Sequence, residues 1–127
     1  MQKRDTMRRL PDGELEVMQA IWACTPPVSR ADIDAQLRDT HPMAQTTLLT
    51  VLTRLADKGF VRIDKEGRSA RYTPLVSRQS YLAQQSRRFL DKLCGGSLPT
   101  FAAALCDSGL SREELDELRA LLERDGL

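Results

Sequence analysis

The chain has 127 residues, 41% of them hydrophobic and 29% charged, with a net charge of +1. That is enough for one ordinary domain or two very small ones, in the mixture expected of a folded soluble protein rather than a disordered one. No apolar run approaches the ~20 residues of a membrane-spanning helix, and the charged opening MQKRDTMRRLPDGE lacks the apolar stretch of a secretory signal. No membrane insertion is expected, and a cytoplasmic location follows. The cysteines, Cys24, Cys94 and Cys106, are odd in number and widely spaced, with no C-x-x-C pair. They frame no disulfide scaffold, and free thiols suit a reducing compartment.

The first helix is predicted over DGELEVMQAIWAC, where Leu15, Met18, Ile21 and Trp22 recur at helical spacing and acids crowd the first turn. The run TPP at 25–27 stops it. The second helix starts in VSRADIDAQL. Ser29 is its N-cap, Asp32 stands at N3, and Val28 can staple to Ile33. Pro42 in DTHPM ends that segment. The third helix is QTTLLTVLTRLADKGF, closed by Gly59 at the usual position after a C-terminus.

Next, FVRIDKEGRSARYTPLV holds strand-forming residues on either side of the turn glycine in KEGRS. It reads as an antiparallel hairpin with a basic loop. Three further helices follow. SRQSYLAQQSRRFLDKLCGG runs from Ser77 to a Gly95–Gly96 pair. SLPTFAAALC is capped by Ser97. LSREELDELRALLERDGL opens on a Ser111–Glu114 capping box with a Leu110–Leu115 staple. The fold class is therefore mainly α with a small β-hairpin: helix, helix, helix, hairpin over 1–76, then three helices over 77–127. The last segment is too short to bury a good core alone. Its leucines can pack on the first domain or on a second copy of the chain. Leu98, Phe101, Leu105, Leu115, Leu118 and Leu122 favour the second copy, since a leucine face on a terminal helix commonly closes a two-fold dimer.

The third helix is the segment that carries chemistry. Threonine is a weak helix former, yet Thr46, Thr47, Thr50 and Thr53 all fall on one side at about 100° per residue, with Arg54 among them and Gln45 at the start. Leu48, Val51, Leu52 and Leu55 take the opposite side, and Leu49 sits at the border. Such a surface suits a helix laid in a DNA major groove. Threonine is short, hydrogen-bonds, and offers a methyl to thymine; Arg reaches phosphate or guanine; Leu49 can add an apolar contact. The preceding short helix and tight break complete a helix-turn-helix, and the hairpin, with Arg68 and Arg71 near its turn, would be a wing against the sugar-phosphate backbone. Residues 40–76 carry six Lys or Arg against three acids, which permits phosphate binding.

Other readings of the same residues stand beside this one. A threonine face can simply be solvated, and a winged helix can bind a protein instead of DNA. Cys94 and Cys106 can form a redox switch, although buried cysteine is usually a small hydrophobe. No nucleophile, base, Gly-rich phosphate loop or metal set is visible, and His41 is the lone histidine. Neither an enzyme nor a cofactor is expected.

LEVMQAIW, TTLLTVLTRLADKGFV, YTPLVS, FLDKLCGG and LSREELDELRALL together resemble the penicillinase-repressor family, the BlaI/MecI/CopY group of bacterial winged-helix repressors, over about residues 10 to 123. The resemblance implies homodimers on inverted-repeat operator DNA, often with TACA/TGTA elements, and repression of a resistance or stress-response operon. It implies an N-terminal winged-helix domain and a C-terminal dimerisation domain. It maps DNA contact onto Thr46, Thr47, Thr50, Thr53 and Arg54. In β-lactam-responsive members a membrane sensor-protease system upstream leads to cleavage of the repressor. Three features depart from the family pattern. Leu49 stands where a basic residue is common. The chain has no Asn for an Asn-Phe cleavage bond, the corresponding place being Ala104–Leu105. The C-x-C pair of copper-responsive members is absent.

Overall fold

The structure, a computed structural model, describes residues 9–124, so most of the charged opening stretch and the last three residues lie outside it. In chain order the elements are α1 (Asp12–Trp22), β1 (Val28–Ser29), α2 (Arg30–Leu37), α3 (Gln45–Asp57), β2 (Val61–Glu66), β3 (Ser69–Pro74), α4 (Arg78–Lys92), α5 (Leu98–Asp107) and α6 (Arg112–Arg124). The strands form one antiparallel sheet in the order β1-β3-β2. The chain divides into two compact units, Met1–Gln85 and Ser86–Leu127.

The core of the first unit follows from helical periodicity. Val17, Met18 and Ile21 of α1, Ile33 and Leu37 of α2, and Leu48, Leu52 and Leu55 of α3 are buried together with Phe60, Val61 and Tyr72 of the hairpin segment. Each helix thus turns an i, i+3, i+4 stripe inward. One charged residue goes in with them. Glu14 of α1 is buried and accepts from Lys58 Nζ just past α3, which ties the two helices by an ion pair.

Local chemistry sets the helix ends. Ser29 and Asp32 form the reciprocal capping box, with Asp32 N donating to Ser29 Oγ and Ser29 N to Asp32 Oδ2. Gly59, at φ 83°, terminates α3. Phe60 N donates to Leu55 O and Gly59 N to Ala56 O, the two bonds of a Schellman motif. The hairpin closes through Gly67 and Arg68 between the paired Glu66 and Ser69. Gly67 has φ 63°, and among the described residues no non-glycine residue, Arg68 included, has positive φ, as a type II′ turn requires.

The sheet has one strand more than the hairpin read from the sequence. Val28 and Ser29, expected only as staple and cap, also pair with Tyr72 and Arg71 of β3. A two-residue strand has no alternation to reveal it; the pairing is a product of the tertiary fold.

The start of α4 is anchored in the first unit. Tyr81 is buried, accepts from Leu10 N at 2.8 Å through its hydroxyl, and stacks near Trp22 and Phe60 with centroids 5.7 and 5.8 Å away. Trp22 Nε1 donates to Val76 O at 2.8 Å. The second unit contains α5, α6 and the end of α4. Phe89 and Phe101 pack edge to face at 5.5 Å, and Cys94 is buried. Neither α5 nor α6 buries a residue fully. Caps are again explicit: Ser97 Oγ accepts from Thr100 N, and Ser111 and Glu114 bond reciprocally. Among the described residues no helix is long and apolar enough to cross a membrane.

Candidate nucleic-acid interface

The two sides of α3 separate cleanly. Leu48, Val51, Leu52 and Leu55 are buried, whereas Gln45, Thr46, Thr47, Leu49, Thr50, Thr53 and Arg54 are all exposed. The exposed residues then divide by direction. Gln45, Leu49 and Thr53, spaced by four along the helix, line a concavity of about 600 Å³ between α3 and the wing. Thr46, Thr47, Thr50 and Arg54 lie outside it, on the open side of the helix. Leu49 is 40% exposed. It borders the same hollow as Ile63, Ala70 and Tyr72.

Hydrogen bonding decides what the threonines can offer. Thr50 Oγ1 donates to Thr46 O, and Thr53 Oγ1 donates to Leu49 O, both at 3.0 Å. With its proton directed to the helix backbone, each hydroxyl turns acceptor lone pairs and a methyl outward. A base amino group or a thymine methyl matches that surface. Gln45 is held from the other side: its Nε2 donates to Asp34 Oδ2 of α2 at 2.7 Å.

The wing supplies cations of two kinds. Arg68 lies at the hairpin tip, exposed. Arg71 is half-buried and directed at Glu66, 3.7 Å away. Strand alternation puts Arg71 on the face of Arg62, Asp64 and Glu66, and puts Lys65 with Ile63, Ala70 and Tyr72 on the other. Lys65 and Arg30 line the concavity beside Arg68, and Arg71 borders it as well; neither Lys65 nor Arg30 stands out in the sequence. Lys65 could have been found by counting alternation back from the turn. Arg30 could have been found as the residue after the Ser29 cap, where a helix start faces solvent. Among the described residues no ion pair engages Arg30, Arg54, Lys65 or Arg68 within 4.0 Å, which leaves their charge available to phosphate.

The residues assigned to dimerisation lie in the second unit. Leu98 is 66% exposed and Leu122 is exposed, while Phe101, Leu105, Leu115 and Leu118 are half-buried. Ala104 and Leu105, which the sequence resemblance marks as a cleavage region, stand inside α5. Of the thiols, Cys94 is buried and Cys106 exposed. Burial, and then the charge of Asp32, push the Cys24 thiol up from the ordinary range. That lowers its thiolate fraction and its reactivity at neutral pH. Among the described residues no group of three His, Cys, Asp or Glu side chains is placed to hold a metal ion.

Known proteins resemble this chain along most of its length. The penicillinase repressor family profile matches residues 10–124. The penicillinase repressor of Bacillus licheniformis is 33% identical over 121 residues, covering 92% of this chain and 94% of that one. The methicillin resistance regulatory protein MecI of Staphylococcus aureus is 27% identical over 116 residues, with 91% and 94% covered. The transcriptional regulator BlaI of Mycobacterium tuberculosis is 35% identical over 77 residues, with 61% and 56% covered. Among solved structures, the monomeric form of Bacillus licheniformis BlaI in complex with the blaP half-operator aligns at a TM-score of 0.48 and 33% identity, covering 59% of this chain and 90% of that chain. With a family profile matched over nearly its whole length and a relative at one-third identity, this chain belongs to the penicillinase repressor family.

Proposed function

We propose that the chain is a transcriptional repressor that binds operator DNA as a homodimer, with residues 1–76 holding the DNA and residues 77–127 holding the partner copy. The observation that carries the reading is α3. Four leucine and valine side chains anchor it in the core, while its outer side presents threonines and one arginine in place of the long charged residues of an ordinary solvated helix. Short side chains let a helix approach base edges closely, and Arg30, Lys65, Arg68 and Arg54 surround the surface with positive charge.

The dimer assignment rests on the second unit. Its described leucines remain exposed or half-buried, and an apolar surface on so small a unit is a surface for association. Two-fold symmetry then sets two copies of α3 facing successive major grooves, so the operator is an inverted repeat with half-sites one helical turn, ~34 Å, or a multiple apart. Occupancy of the promoter blocks transcription, and such a protein works in the cytoplasm. The names of the relatives favour a resistance operon as the target. Release by a membrane sensor-protease would require α5 to open first, because the Ala104–Leu105 bond lies within a helix.

The test is capture of genomic DNA fragments from the source organism by the purified chain at ~150 mM salt, followed by sequencing. The proposal expects promoter fragments that share an inverted repeat. Recovery of fragments with no shared sequence would refute it and leave a winged helix that binds protein.

A further inference from the structure

We propose that Asp34 is a specificity-determining residue of this interface, because it holds the Gln45 amide in the orientation that pairs with adenine. The inference rests on the DNA-binding reading above and adds to it a residue of the first helix of the helix-turn-helix.

Gln45 is the first residue of α3 and Asp34 belongs to α2; Gln45 Nε2 donates to Asp34 Oδ2 at 2.7 Å. A free glutamine side chain can present its oxygen or its nitrogen in either direction, since rotating the amide by half a turn exchanges them. An ionised carboxylate removes that freedom. It only accepts hydrogen bonds, so the nitrogen must face Asp34 and Oε1 must face away. One N–H is taken by Asp34. The second N–H and Oε1 remain, a donor beside an acceptor, and this is the pair that the N7 and N6 amino group of adenine match in the major groove. Both residues line the concavity between α3 and the wing, next to Leu49, Lys65 and Arg68. The amide is therefore held on the side of α3 where the wing would confine the duplex.

The charge of Asp34 makes the role separable from its alternatives. A carboxylate among the cations of a phosphate-binding surface opposes DNA of any sequence. Its removal should raise affinity for bulk DNA while lowering discrimination. A purely structural residue would instead weaken binding to every sequence alike.

The experiment selects bound duplexes from a library with a randomised core, using the full chain as wild type, Asp34→Ala, Asp34→Asn, Gln45→Ala and the double variant Asp34→Ala/Gln45→Ala. Affinities for single base-pair variants of the recovered site are then measured. Wild type should favour A·T at one half-site position by about ten-fold or more, the discrimination of a good bidentate contact. Asp34→Ala should reduce that preference to within about three-fold, leave the other positions unchanged, and bind bulk DNA more tightly. Asp34→Asn loses the charge and presents a donor beside its acceptor, so it no longer fixes the Gln45 amide in one orientation and should also lower the A·T preference, to a value between wild type and Asp34→Ala. The double variant should match Gln45→Ala at that position, as expected for two residues acting through one contact. The inference is overturned if the Asp34→Ala profile superimposes on wild type, if affinity falls uniformly with the profile unchanged, or if the position that Gln45→Ala alters is not A·T. A wild-type chain that enriches no sequence would overturn the DNA reading itself.

Discussion

Replacing Thr50 and Thr53 together by alanine should stabilise the protein and blunt DNA recognition at the same time. Both positions are exposed and interior to the 13-residue α3, so truncation opens no cavity. In a helix interior threonine is less favourable than alanine by up to ~0.7 kcal/mol. The hydroxyls do bond to carbonyls of their own helix, at 3.0 Å each, but such back-bonds add little and tend to bend helices. The net gain is then about 1 kcal/mol, which corresponds to a rise of a few degrees in Tm. Urea titration followed through Trp22, the single tryptophan, measures this gain. On the DNA side the variant loses two acceptor oxygens and two methyls. Discrimination between a selected operator and a scrambled duplex should fall by about ten-fold, ~1.4 kcal/mol, within the ~1–3 kcal/mol range of a good base contact. A stabilised variant that still discriminates as wild type would refute the reasoning and reduce the threonine face to a solvated surface.

Other substitutions probe separate parts of the account. Tyr81→Phe keeps the ring against Trp22 and Phe60 but leaves the buried Leu10 N–H without its acceptor; urea unfolding should register a loss of ~1–3 kcal/mol, and a change below ~0.5 kcal/mol would deny that bond its role. Arg68→Ala should weaken binding on every sequence and flatten the salt dependence by about one unit of log–log slope. Arg71→Ala should do less, because Arg71 is directed at Glu66, and equal slopes for the two variants would contradict the assignment of the wing tip. The double substitution Leu115→Asp and Leu118→Asp should give monomers by sedimentation that no longer hold the operator; dimers that persist would place the interface elsewhere.

What could be read in the sequence is what short-range chemistry dictates. Ser29 three residues before Asp32, and Ser111 three before Glu114, announce capping boxes that the structure forms. Gly59 ends α3 and Gly67 turns the hairpin because each takes positive φ. The apolar and polar sides of α3 follow from its period alone. What could not be read depends on residues far apart in the chain. The strand Val28–Ser29 exists only because β3 lies beside it. Tyr81 looks in sequence like one more apolar residue of α4, yet it is bonded to Leu10, 71 residues away. The exposed arc of α3 reads as one surface, and only the position of the wing divides Gln45, Leu49 and Thr53 from Thr46, Thr47, Thr50 and Arg54. Lys65 and Arg30 enter that concavity by the same packing, and the bond from Gln45 to Asp34 follows no local rule.

The most direct test of the central claim is the ratio of affinities for a selected inverted-repeat operator and for a scrambled duplex of the same composition, measured at ~150 mM salt for wild type and Arg54→Ala. A sequence-reading repressor should prefer its operator by at least ~10³. Arg54→Ala, which removes the arginine of the exposed side of α3, should reduce that preference by ~1–3 kcal/mol. Equal affinity of the wild-type chain for both duplexes would contradict the account, because it would leave α3 with nothing to read.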